Sequence, residues 1–203
     1  MCLHGLFGHH LLDSVQEVFF NDKKDLIPKI EETEAKIDQL HKAVKAYAED
    51  IMQAGISDDA ARVLTLYVAS SGNIERIGDY GKKLLEYYAY RQNRPKDFSQ
   101  QAMTELSGMY AEAHHAIVTA LDGFINDDPD KAREVAPIAG KLRGLEVELR
   151  NRHIQRLDKQ ECDSETGLVY VDILGIIEHI GYHSNNVAKA TISSCTAEHK
   201  AKA

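Results

Sequence analysis

The chain has 203 residues, enough for one large or two small domains, and 43% of them are hydrophobic. Its formal charge of −8, from 24 basic and 32 acidic residues, opposes binding to nucleic acid, which needs a basic surface. No apolar run approaches the roughly 20 residues that cross a bilayer, so direct membrane insertion is not expected.

The opening stripe of Leu3, Leu6, Phe7, Leu11, Val15, Val18 and Phe19 has helical spacing and stops at "NDKKD". A second helix is expected from Leu26 to about Ile51, with Ile30, Ile37, Leu40, Val44, Tyr47 and Ile51 facing inward. Gly55 then reads as a stop and Ser57 as the cap of a third helix, which runs to about Arg91 and ends by Pro95. A fourth helix covers Ser99 to Phe124. In "NDDPD" an aspartate caps the next helix, with Pro129 at its first position, and that helix runs to about Leu157. "KQECDSETG" reads as a polar connector before a last helix from Leu168 to about Ser194. Cys2, Cys162 and Cys195 are scattered without C-x-x-C spacing, which suits a reducing, cytoplasmic compartment.

Three helices are thus followed by three more, and nothing alternates as a strand would. "NDKKDLIPKI" and "NDDPDKAREV" begin alike 105 residues apart, while "GNIERIGDYG" and "GIIEHIGYHS" share G-x-I-E-x-I-G at an offset of 103. The fold class is therefore all-α, two tandem three-helix bundles, over residues 1–95 and 96–203. The stub before "NDKKD" is shorter than its counterpart, so Met1 is expected to mark a cut in a longer chain.

Glu75 and Asp79, four residues apart, share one face of the third helix, and Glu34 and Asp38 repeat the spacing on the second. Gly72, Gly78 and Gly81 each cost about 1 kcal/mol inside a helix, which implies close approach by a neighbouring helix. Four carboxylates brought together cannot all stay ionised uncompensated. A divalent or ferric ion with oxygen ligands (iron, manganese, magnesium or calcium, with zinc as a softer option) would compensate them. On a solvated face, Arg76 or Lys36 would pair with them instead. In the second unit Ala139, Arg143 and Tyr182 replace three of the four, and only Glu178 survives, with His179 and His183 nearby. One competent site in the first unit, and a weak one or none in the second, is expected. Glu112-x-x-His115 and Asp38-x-x-His41 have the spacing of a carboxylate-bridged di-iron oxidase, an enzymatic alternative. His114 and His153 read as polar-face residues, and "RGLEVELRNRHIQRL" as a salt-bridged helix face.

"NIERIGDYGKKLLEYY" resembles the signature helix of the PhoU family of phosphate-uptake regulators. The closing segment is similar to the PhoU-like domain attached to sodium/phosphate cotransporters, through Arg152, His153, Arg156, Leu157, Cys162, Gly167, Glu178, His183 and Asn186. The resemblance implies a non-enzymatic, cytoplasmic regulatory domain that contacts a membrane phosphate transporter, in cis or in trans, with homodimerisation as a further option. It also implies metal binding through E(D)-x-x-x-D motifs, which carries over to Glu75 and Asp79 and then to Glu34 and Asp38. A stand-alone regulator of a phosphate importer and its sensor kinase is the alternative.

Overall fold

The computed structural model describes residues 3–94 and 98–201, with side chains described from His10 to Cys195 except Ser164. Met1, Pro95 and the side chains of Leu3, Leu6 and Phe7 lie outside this set. The helices are α1 (Leu3–Asn21), α2 (Ile27–Gln53), α3 (Asp58–Gln92), α4 (Gln100–Ile125), the short α5 (Pro129–Arg133), α6 (Val135–Asp158) and α7 (Ser164–Ala201). A 3-10 turn at Lys24–Leu26 precedes α2, and the described residues contain no strand.

The expected caps at Ser57 and Asp128 form, and Ser99 adds a third that was not expected. Ser57 accepts from the Ala60 amide, Ser99 from the Ala102 amide, and Asp128 from the Asp130 and Lys131 amides, each satisfying first-turn donors that a helix leaves open. Four residues take positive φ, namely Asp22 (57°), Gly55 (82°), Asp127 (50°) and Gln160 (58°). Asp22 and Asp127 are 105 residues apart, and so are Gly55 and Gln160. The backbone therefore turns the same way at the same places in both repeats. At Gln160 the repeat imposes on an ordinary residue the conformation that Gly55 adopts without strain.

Helices α1, α2 and α3 pack on one another, as do α4, α6 and α7, with α5 set against α4 and α7. The repeats meet through α3 on α7 and α1 on α4, whereas α2 and α6 touch no helix of the other repeat. Asn73 meets His183, Tyr87 meets Asp172 and Tyr90 meets Glu165, so α3 and α7 run antiparallel. One core results, in which Ile74 and Ile77 of α3 and their counterparts Ile177 and Ile180 of α7 are fully buried. Each such side chain contributes roughly 1.5–3 kcal/mol on burial.

The glycines do mark close approach. A Cβ on Gly78 would touch Ile37, and one on the equivalent Gly181 would intrude on Leu142, the counterpart of Ile37. Three expectations need correction. Tyr47 points outward and Ala48 takes the buried place, a shift of one residue on the helix wheel. Helix α7 begins four residues before Leu168, because Asp163 caps it by accepting from the Thr166 amide and hydroxyl. The helix expected from Pro129 to Leu157 is broken at Glu134 into α5 and α6.

Candidate functional site: an acidic seam between α2 and α3

Glu34 and Asp38 line the inner flank of α2, and Glu75 and Asp79 line the facing flank of α3. Gly72 and Gly78 let the helices approach, with His41 over Gly72 and Ile37 and the Glu34 stem over Gly78. Burial and the charge of Asp79 push the Glu75 carboxyl above the usual range, with Asp38 adding to the rise and His41 and Arg76 opposing it. Asp79, although exposed, is raised in the same direction by partial desolvation and by the charge of Glu34. Glu75 and Asp79 of α3 therefore feel the acids of α2 across the seam.

Compensation within the chain is partial. Lys82 Nζ lies 3.2 Å from Glu34 Oε2, and Lys42 Nζ lies 2.7 Å from Asp38 Oδ2. The expected Lys36 partner goes instead to Glu32, one turn away on α2. His41 Nδ1 is held 2.8 Å from Ser71 Oγ, beside the seam. Sequence spacing did not single out Lys42 or Lys82, although Lys42 follows Asp38 by the four residues that bring helix side chains together.

The second repeat measures the geometry. At the positions equivalent to Asp38 and Glu75 it carries Arg143 and Glu178, and Arg143 Nε lies 3.9 Å from Glu178 Oε1. An opposite charge thus supplies from within what the first repeat lacks. His179 also approaches Glu178, at 3.5 Å, and stacks on Tyr80, while His183 bonds Asn73 across the repeat junction.

Among the described residues, no group of three or more His, Cys, Asp and Glu side chains could hold a metal ion as arranged. The seam's carboxylate oxygens are donors of the kind a hard cation takes, while two of the four carboxylates are engaged by lysines. The di-iron alternative does not assemble. Helices α2 and α4 are not in contact, Lys141 engages Glu112, and Ser71 holds His41.

The closing segment builds a different feature. Arg156 donates to both oxygens of Glu105, at 3.0 and 2.9 Å, and Tyr170 donates to Glu105 at 2.6 Å. Beside them a pocket of about 560 Å3 is lined by Phe98, Cys162, Gly167 and Tyr170, among others. His153 is only 4% exposed and stacks obliquely on Tyr170, which corrects its reading as a polar-face residue. Its Nε2 has no hydrogen-bond partner, and a Cβ on Gly167 would lie 2.5 Å from that atom. Burial, then the Arg156 charge, lowers its pKa and favours the neutral ring. The counterpart of His153 in the first repeat is the buried Ala48, so both repeats bury this position. His114 is likewise engaged, with Nε2 2.7 Å from Asp13.

A duplicated three-helix bundle with a carboxylate seam in one repeat defines a class of helical proteins whose two halves diverge in charge while sharing one backbone. The sequence profile of the PhoU domain matches residues 7–88 and 106–191, and the chain belongs to the PhoU domain family. It is 24% identical, over 82% of its length and 72% of the relative's, to the phosphate-specific transport system accessory protein PhoU homolog 1 of Thermotoga maritima. The fold is that of the crystal structure of PhoU from Pseudomonas aeruginosa, at a TM-score of 0.86 and 18% identity over 95% of this chain and 92% of that one. The phosphate transport system regulatory protein PhoU from Streptococcus pneumoniae gives 0.80 at 15% identity over 96% and 91%.

Proposed function

We propose that the protein is a PhoU-type regulator of phosphate transport that works by contacting a membrane transport protein at its cytoplasmic face. The match of the PhoU profile to both repeats carries this reading. Among the described residues, no helix is long and apolar enough to cross a membrane, so the contact would be made from outside the bilayer. Deleting the protein should change phosphate uptake by the cell, and restoring the chain should reverse the change. Uptake indifferent to both would refute the reading.

The finer assignment has two forms. Four of the nine closing-segment residues, His153, Arg156, Cys162 and Gly167, line one pocket, which supports a domain joined to, or paired with, a sodium/phosphate cotransporter. The curated relative, named as an accessory protein, favours a stand-alone regulator. Sodium dependence of the regulated uptake separates the two.

Within this role, Glu34, Asp38, Glu75 and Asp79 would hold a hard cation, and the cation would supply positive charge through which an anion such as phosphate could be recognised. The residues' own part is to gather donors on a rigid seam. Elemental analysis of protein purified without chelator should find metal that is lost from the Glu75→Gln/Asp79→Asn variant. Equal content in both proteins would remove the seam from consideration.

A further inference from the structure

The duplication shows what the framework requires at an exposed position. Helices α2 and α6 occupy equivalent outer places, and each presents a straight outward stripe with alternating steps of four and three residues. In α2 the stripe is Ala35, Gln39, Lys42, Ala46 and Glu49, and in α6 it becomes Gly140, Gly144, Val147, Asn151 and Ile154. All ten positions are exposed. The bundle therefore accepts lysine and glutamate where α6 carries valine and isoleucine, and packing does not explain the aliphatic residues. Val147 is 52% exposed and Ile154 47%, on a helix that touches no part of the first repeat.

We propose that this face of α6 docks an amphipathic helix of a partner protein, one with large aliphatic residues at heptad spacing and carboxylates along their flank. The alternating spacing suits a second helix rather than a strand. A Cβ on Gly140 or Gly144 would meet nothing within 4 Å, so the partner's larger side chains have room there. Charge indicates the partner's flank. Lys141, Arg143, Arg150 and Arg152 border the stripe on a chain whose net charge is −8, and their facing carboxylates Glu112, Glu178 and Glu146 are the more buried members of each pair. Two exposed acids adjoin this border, Glu148, which pairs with Arg152, and Asp158, which continues the stripe at the carboxyl end of α6. A second copy laid antiparallel about Val147 would bring Arg143 against Arg150 and Glu148 against Glu148, whereas an acidic partner meets no such conflict. The surface names where the contact role proposed above would act, and its test reads binding rather than transport, so the two can fail separately.

The test uses the full chain and a labelled helical peptide of about three heptads, with leucine on its seam and glutamate beside it. Fluorescence anisotropy should show saturable binding, weakened about tenfold or more by Val147→Lys/Ile154→Glu, the loss expected when central anchors are removed. The double variant installs the residues that α2 carries at the matching exposed sites; Lys42 pairs there with Asp38, where α6 has Arg143, so circular dichroism should be unchanged and Tm should move by no more than a few degrees. A peptide with lysine in place of glutamate should bind correspondingly less. Absence of saturable binding, or equal binding by the variant, overturns the proposal. So does sedimentation showing a dimer of the chain that the double variant dissolves, because the occupant would then be a second copy.

Discussion

Removing the Glu105 carboxylate should be among the most damaging single changes available. Its side chain is 8% exposed and that of Arg156 is 12% exposed, so Glu105→Ala leaves a largely buried guanidinium at a pocket wall without its carboxylate partner. The change also deletes both Arg156 bonds and leaves the Tyr170 hydroxyl without its acceptor. Breaking a buried pair from one side costs about 3–5 kcal/mol. For a chain of this size that corresponds to a fall in Tm of about 6–20 °C, measured by circular dichroism at 222 nm and checked by urea titration. Burial raises the Glu105 pKa, but Arg156 and Tyr170 outweigh it and hold the carboxyl below the usual range. A depressed folded-state pKa gives stability that is present above the unfolded pKa and is lost as pH falls through the folded value. The gap between wild type and Glu105→Ala should therefore narrow on acidification. A Glu105→Leu/Arg156→Met double variant should recover much of the loss, because replacing both charges removes the stranded ion. A single variant within 1 kcal/mol of wild type would refute the buried-pair account.

Glu75→Gln should stabilise the cation-free protein at neutral pH, because a raised folded-state pKa means that stability falls as pH climbs from the unfolded to the folded value. The same variant should lose the rise in Tm that added cation gives the wild type, and scanning calorimetry with and without metal reads both effects. Gly123→Ala places a methyl 3.0–3.2 Å from the backbone of Asp128 and Ala132, which cannot yield, and should cost about 1–3 kcal/mol in urea unfolding. Tyr110→Phe removes the 2.7 Å bond to the Leu12 carbonyl at the α1–α4 contact and should cost about 1–3 kcal/mol, with faster amide exchange in α1.

Local rules carried most of the fold. Caps at Ser57 and Asp128, the stop at Gly55 and the paired "ND" turns are decided by residues within one helical turn, so the sequence exposes them directly. The start of α7 was missed because Gly167 reads as a breaker. Its lack of a side chain instead makes room for the His153 ring, a contact 14 residues away that local pattern cannot reveal. At the candidate site, spacing was enough to put two carboxylates on each helix and to face the helices through glycine. It could not say that Lys42 and Lys82 would claim two of the four, since that depends on how long side chains settle across a groove. The burial of His153 was hidden because Arg150, Arg152 and Arg156 suggest a wet face, and because its counterpart Ala48 was itself misplaced by one residue in favour of Tyr47.

The two halves diverge where duplication leaves them free to. Buried pairs persist, as with Ile37 on Gly78 and Leu142 on Gly181, because either repeat would lose its packing without them. At the α2–α3 seam and its counterpart, one backbone geometry carries facing acids in one copy and an arginine–glutamate pair in the other. In the first copy burial and neighbouring acids push the Glu75 and Asp79 carboxyls upward, whereas in the second Arg143 lies 3.9 Å from Glu178. On the outer helices the divergence runs the other way, with charge kept on α2 and aliphatic surface gained on α6. A seam that costs stability and a surface that leaves aliphatics in water are both unfavourable to an isolated bundle. Their segregation into different repeats lets each be altered without disturbing the other, because α2 and α6 share no contact.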